Sequence, residues 1–147
     1  MGLLDNVFGG FAKEEPFGPQ DGFAGVLLCA AACDGHIADE EVQNLFTTLN
    51  RMKLYQNITQ QRYGSMMDRL VGILKRTGPE GLLERAAPAV PPELRETAFA
   101  NACDLVLADG VVDPAEKEFI NDLMTRLSIS GDQAITIVEV MVVKNKG

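Results

Sequence analysis

Two short acidic stretches hold the side chains of this chain that are best suited to chemistry. Asp34-Gly35 is followed by Ile37 and Glu41, and Asp109-Gly110 is followed by Val112 and Glu116. Asp34 and Asp109 lie 75 residues apart, as do Glu41 and Glu116. Each copy follows an apolar run and opens an amphipathic one. Asp39 and Asp113 add further carboxylates near the same two turns. Hard oxygen donors in this number suit Ca²⁺ or Mg²⁺ over soft metals. Four ionised acids brought together repel one another, and a divalent cation relieves that repulsion.

The spacing is that of the second half of an EF-hand loop, with Asp34 at position five, Gly35 at six and Glu41 at twelve. Positions one and three are Ala30 and Ala32 in the first copy, and Leu105 and Leu107 in the second. An EF-hand needs oxygen ligands there, so a true EF-hand is excluded. Plain helix capping is the competing explanation. Asp113-Pro114-Ala115-Glu116 is a capping-box pattern with Pro at the first helical position. Such a cap stabilises by about 1 kcal/mol without any metal. Capping alone does not require an Asp on the far side of the Gly, and that Asp occurs twice. In the first copy Ala38 stands where the second has Asp113, so its cap shifts to Asp39.

Asp-Gly-x-aliphatic-x-x-x-x-Glu, present twice in a chain of this size, resembles the tellurite-resistance TerB family and its TerB-like relatives. The stretches Ala30–Leu49 and Pro92–Leu127 carry the likeness. The resemblance implies an all-helical fold with internal pseudo-twofold symmetry. It also implies clustered acids that bind a divalent cation, in a role in tellurite or other stress responses. Carried over by position, the ligands are Asp34 and Glu41, then Asp109 and Glu116, with Asp39 and Asp113 as weaker additions. Ala38 departs from the acidic pattern of the second copy and puts a symmetric pair of full sites in doubt.

Other chemistry is sparse. Cys29, Cys33 and His36 would make a zinc site only with a fourth ligand and short-spaced loop pairs, which are missing. One His with no Ser or Cys motif beside it gives no nucleophile and base, and no phosphate-binding glycine loop is present. The chain is therefore expected to be non-catalytic. The net charge of −8 excludes nucleic acid, whose backbone needs a surplus of Lys and Arg. It suits cations or a basic protein partner, and a protein partner is expected. Three cysteines in apolar surroundings are not a disulfide framework. They fit free thiols in a reducing, cytoplasmic setting.

The elements that must position these acids read as helices. Residues 1–19 form a tail separate from a domain over 20–147. Leu3, Leu4, Val7, Phe8 and Phe11 share one helical face there, before Pro16 and Pro19 close the segment. The tail docks on its own domain or serves as a peripheral membrane or partner anchor. Its net negative charge counts against anionic lipid. The 11-residue apolar run Phe23 to Cys33 is too short to span a bilayer and predicts a buried helix. No basic leader is visible at the start, so no secretory signal is expected.

Further helices are predicted over 39–52, 59–76, 79–87, 92–108, from Pro114 onward, and over the last segment, Ile135 to Val143. Thr77-Gly78-Pro79 marks a break, and Thr59 and Ser130 are N-cap residues. The last segment is rich in β-branched residues, but no partner strand is visible, and its all-round apolar character predicts burial. With few aromatics the core is expected to be aliphatic. The result is an all-α bundle of six or seven helices, with two pseudo-equivalent helical hairpins joined by a middle pair.

Overall fold

The computed structural model describes residues 16–33, 39–108 and 110–147. Among them the chain is all-helical, with six α-helices, three short 3₁₀ turns and no strand. The helices are α1 (Pro19–Ala31), α2 (Asp39–Asn50), α3 (Gln60–Ala86), α4 (Arg95–Leu107), α5 (Pro114–Arg126) and α6 (Gly131–Lys144). The 3₁₀ turns are Lys53–Tyr55, Ala87–Ala89 and Pro92–Leu94. None of these helices is long and apolar enough to cross a membrane.

The apolar run becomes α1, and α1 is the centre of the bundle. Pro19 takes the first turn, where its missing N–H costs nothing. The Gly18 N–H donates to the Asp21 carboxylate at 2.9 Å, which satisfies one orphan donor of that turn. Every residue from Gly22 to Ala30 is buried. α3, α4, α2 and the Ala87–Ala89 turn all pack on it. Two glycines set how closely they come. A Cβ on Gly22 would lie 2.8 Å from the Ala89 backbone, and one on Gly25 would lie 2.8 Å from the Ala86 methyl.

The predicted break in the middle of the chain is a kink. At Gly78 the backbone leaves helical values for φ 77° and ψ 174°, a region open in practice to glycine alone. Pro79 then restarts the helix. The Cys29 thiol of α1 donates to the Pro79 carbonyl at 3.4 Å, so the kink rests on the central helix. The predicted caps form at two further helix starts. Thr59 accepts from the Arg62 N–H and Ser130 from the Gln133 N–H.

Among the described residues the core is aliphatic with five aromatic exceptions, Phe23, Tyr55, Tyr63, Phe99 and Phe119. Phe23, Phe99 and Tyr55 are among its largest fully buried side chains. The Tyr55 hydroxyl donates to the Gln20 carbonyl at 2.6 Å, and the Gln20 amide donates back to the Leu54 carbonyl at 2.9 Å. This pair fastens the turn after α2 to the first turn of α1. At the near end of the tail, Phe17 lies between the guanidinium groups of Arg69 and Arg85, 4.9 and 4.5 Å from its ring centre. Residues 1–15 lie outside the described residues.

The last helix departs from expectation. The all-round apolar pattern of α6 predicted burial, yet only Ala134 is buried. α6 packs chiefly on α4, and a helix covered from one side keeps most of its circumference in water. Asp104 of α4 clasps its far end, accepting from Lys144 at 3.0 Å and from Asn145 at 2.8 Å.

Candidate functional site

The second acidic corner is built by helix-end chemistry. α4 ends at Leu107, and Gly110 turns the chain with φ 78°, the left-handed conformation that glycine adopts without strain. Asp113 then caps α5. Its Oδ1 accepts from the Glu116 N–H at 2.8 Å, and Glu116 Oε1 accepts from the Asp113 N–H at 3.0 Å. Both halves of the capping box are present. Each carboxylate commits one oxygen to the backbone. The two acids also sit beside the positive end of the α5 dipole.

The other candidate ligands are less fully placed. Asp34 and Asp109 lie outside the described residues. Asp39 is the first residue of α2, and its side chain is not among those described. Glu41 is exposed in the first turn of that helix. Among the described residues, no three His, Cys, Asp or Glu side chains converge as a metal-holding group. The structure thus brings Asp113 and Glu116 together, through the cap. The four-carboxylate set as a whole falls partly outside it.

A cleft lies between the end of α1 and the first turns of α5, and among the described candidate ligands none lines it. A hollow of about 380 Å³ is lined by Cys33, Pro79, Glu80, Ala115, Glu118 and Asp122, among others. Cys33 directly precedes Asp34, and Ala115 directly precedes Glu116. The end of α1, the α3 kink and the first turns of α5 therefore surround one space. Its rim is acidic through Glu80, Glu118 and Asp122. Asp122 accepts from Arg126 Nε at 2.9 Å, one helical turn further on. Sequence reading missed these three acids. Glu118 and Asp122 are spaced i, i+4 on α5 and so share a face. That signal was available but was overshadowed by the Asp-Gly repeat.

Two of the three cysteines sit in the core. Cys29 is fully buried, and its burial pushes the thiol pKa far up, with Cys33 adding to the rise. A buried thiol that resists ionisation is a poor nucleophile. Cys103, also in the core, is pushed up to about 12, chiefly by burial and secondarily by Asp104. His36, the third member of the zinc reading, lies outside the described residues.

Two shallow grooves flank the bundle. One, of about 480 Å³, runs between α2 and α3 and is lined by Val42, Phe46 and Tyr63 among others. The other, of about 300 Å³, runs between α4, α5 and α6 and includes Lys117, Asn121 and Val138. Val42 and Lys117, Phe46 and Asn121, and Tyr63 and Val138 each lie 75 residues apart. Phe46 and Tyr63 meet edge to face, with ring centres 4.6 Å apart. Burial pushes the Tyr63 hydroxyl up to about 12, and among the described residues it has no hydrogen-bond partner.

Comparison with protein-family models, with curated proteins and with solved structures found no match. The TerB-like resemblance therefore rests on the two motifs and their spacing.

Proposed function

We propose that this chain is a non-catalytic, TerB-like stress-response module that takes a divalent cation between its two Asp-Gly corners. The observation that supports the reading is the acid-rimmed cleft beside the end of α1 and the first turns of α5. Cys33 and Ala115, each next in sequence to a candidate ligand, line the same space. Asp34, Glu41, Asp109 and Glu116 are the ligands of this reading, with Asp39 and Asp113 beside them. A Ca²⁺ or Mg²⁺ ion there offsets carboxylate repulsion and ties the α1–α2 hairpin to the α4–α5 hairpin. A cytoplasmic setting and a basic protein partner belong to the same proposal.

The test is a melting curve of the chelated protein with Ca²⁺, Mg²⁺ or Zn²⁺ added. At a hundredfold excess over Kd, binding contributes about 2.7 kcal/mol. For a chain of this length that is a rise of roughly 5–10 °C in Tm. The double variant Asp34→Ala plus Asp109→Ala should lose the rise. No shift with any ion refutes the reading.

A second reading is favoured by the complete capping box. In it the repeat only ends and starts helices, and the acidic surface recruits a basic partner directly. Partner capture then survives chelation and weakens with salt. Capture that is lost with chelator and indifferent to salt sinks this version.

A further inference from the structure

Among the described residues, four of the five most exposed large apolar side chains are on α6. Ile135, Val140, Val142 and Val143 are 58, 55, 48 and 71% exposed. The opposite side of the helix, with Ala134, Ile137, Val138 and Met141, faces the core. The outer face therefore carries these four apolar side chains over about 12 Å of helix, from Ile135 to Val143, with Thr136 and Glu139 exposed among them. Scattered exposed apolar residues need no explanation, but a run of them along one helix marks an interaction surface.

The charges at the ends of this face say what fits it. Asp132 is exposed in the first turn, and Lys146 is exposed just beyond the last. Lys144 is already engaged by Asp104. A face with an acid at one end and a base at the other is complementary to itself when reversed. Antiparallel helices also set the positive end of one dipole beside the negative end of the other. We infer that the outer face of α6 binds a second copy of this chain in antiparallel register, with Asp132 opposite the partner's Lys146.

That register has a consequence at its centre. Glu139 lies midway between Asp132 and Lys146, so it faces its own mate across the twofold axis, while Ile135 meets the partner's Val143. Two carboxylates in that position repel, so the association is weak and concentration-dependent. The net charge of −8 per chain adds long-range repulsion. The association is therefore read near 0.15 M salt, where the screening length is about 8 Å.

The experiment is sedimentation velocity of the full chain across a wide concentration range. A reversible monomer–dimer equilibrium is expected. Ile135→Lys and Val143→Lys should each weaken it by about tenfold or more, since each buries a charge in the interface. Val111→Lys, on an exposed apolar residue away from α6, should leave it unchanged. Glu139→Gln should tighten it several-fold. Asp132→Lys should weaken it, and adding Lys146→Asp in the same chain should restore it. All these positions are exposed, and circular dichroism confirms that the variants keep their helices. A chain that stays monomeric at every concentration overturns the inference and leaves the face to a different partner. So does a dimer that tolerates Val143→Lys, or one that the charge swap fails to rescue.

Discussion

The same substitution, Gly to Ala, should have opposite signs at different points of this fold. Gly64 and Gly72 lie in α3 with nothing within 4 Å of an added Cβ. There alanine removes backbone freedom from the unfolded chain and should stabilise by about 0.5–1 kcal/mol. Gly22 has the same helical advantage in α1. Its new methyl, however, would meet Ala89 C and Cβ at 2.8 Å and the Ala86 carbonyl oxygen at 2.9 Å. Two of these atoms are backbone, and Ala89 has no flexible side chain to swing aside. Separating α1 from the Ala87–Ala89 turn costs about 1–3 kcal/mol, as overpacking does elsewhere. The net expectation for Gly22→Ala is a loss of roughly 0–2 kcal/mol, against a gain for Gly64→Ala. Urea unfolding followed by circular dichroism reads both, through the midpoint at constant slope. If Gly22→Ala stabilises as much as Gly64→Ala, the close approach of α1 to that turn is wrong.

Two other perturbations separate cap, cation and core. In chelated protein, Asp113→Ala should cost about 1 kcal/mol by removing the N-cap, while Asp113→Asn should cost almost nothing, because Asn caps equally well. If both variants melt together, the capping box is not stabilising α5. Alkali should unfold the protein early. Cys103, with a pKa of about 12 in the fold against 9.0 for a free thiol, keeps its proton in the native state while the unfolded chain loses it. Between those values the unfolded state binds fewer protons, so stability falls as pH rises. Equilibrium unfolding in urea from pH 8 to 11 should show the decline, and Cys103→Ala should flatten its slope; a slope unchanged in that variant rules the thiol out as a cause.

Much of the fold was legible because helices announce themselves at their ends. Thr59, Ser130 and Asp113 cap helices where their side chains predicted, and Gly78-Pro79 breaks the chain where its backbone chemistry predicted. The closest packing was not legible, because Gly22 and Gly25 leave no apolar signal and act by what they lack. The clasp between Tyr55 and Gln20 uses a carbonyl and an amide 35 and 34 residues from their partners, a distance that local patterning does not reach. Ser128, at φ 57°, ends α5 in the left-handed conformation without the glycine that would have flagged it. α6 was misread for a simpler reason. Composition records how apolar a helix is, while the number of elements packed against it decides how much of it is covered.

The two corners are less alike than their motif. α2 and α5 begin 75 residues apart, at Asp39 and Pro114, and three groove positions keep that offset. The core positions do not. Leu45 and Leu49 are buried in α2, but their counterparts Ile120 and Met124 are only half-buried, and Phe119 and Leu123 take the core instead. One residue of slip along a helix is a rotation of about 100°. Relative to the core, then, Glu41 and Glu116 project in different directions, and Glu41 is exposed while Glu116 is half-buried and engaged in the cap. Ala38 adds to the difference by removing the acid that corresponds to Asp113. Two equal sites would need two equal corners. An ion held by these acids would be shared between unlike halves, and a calorimetric titration of the chelated protein with that cation should saturate at one equivalent per chain. Saturation at two would mean that the corners act separately and share no ion.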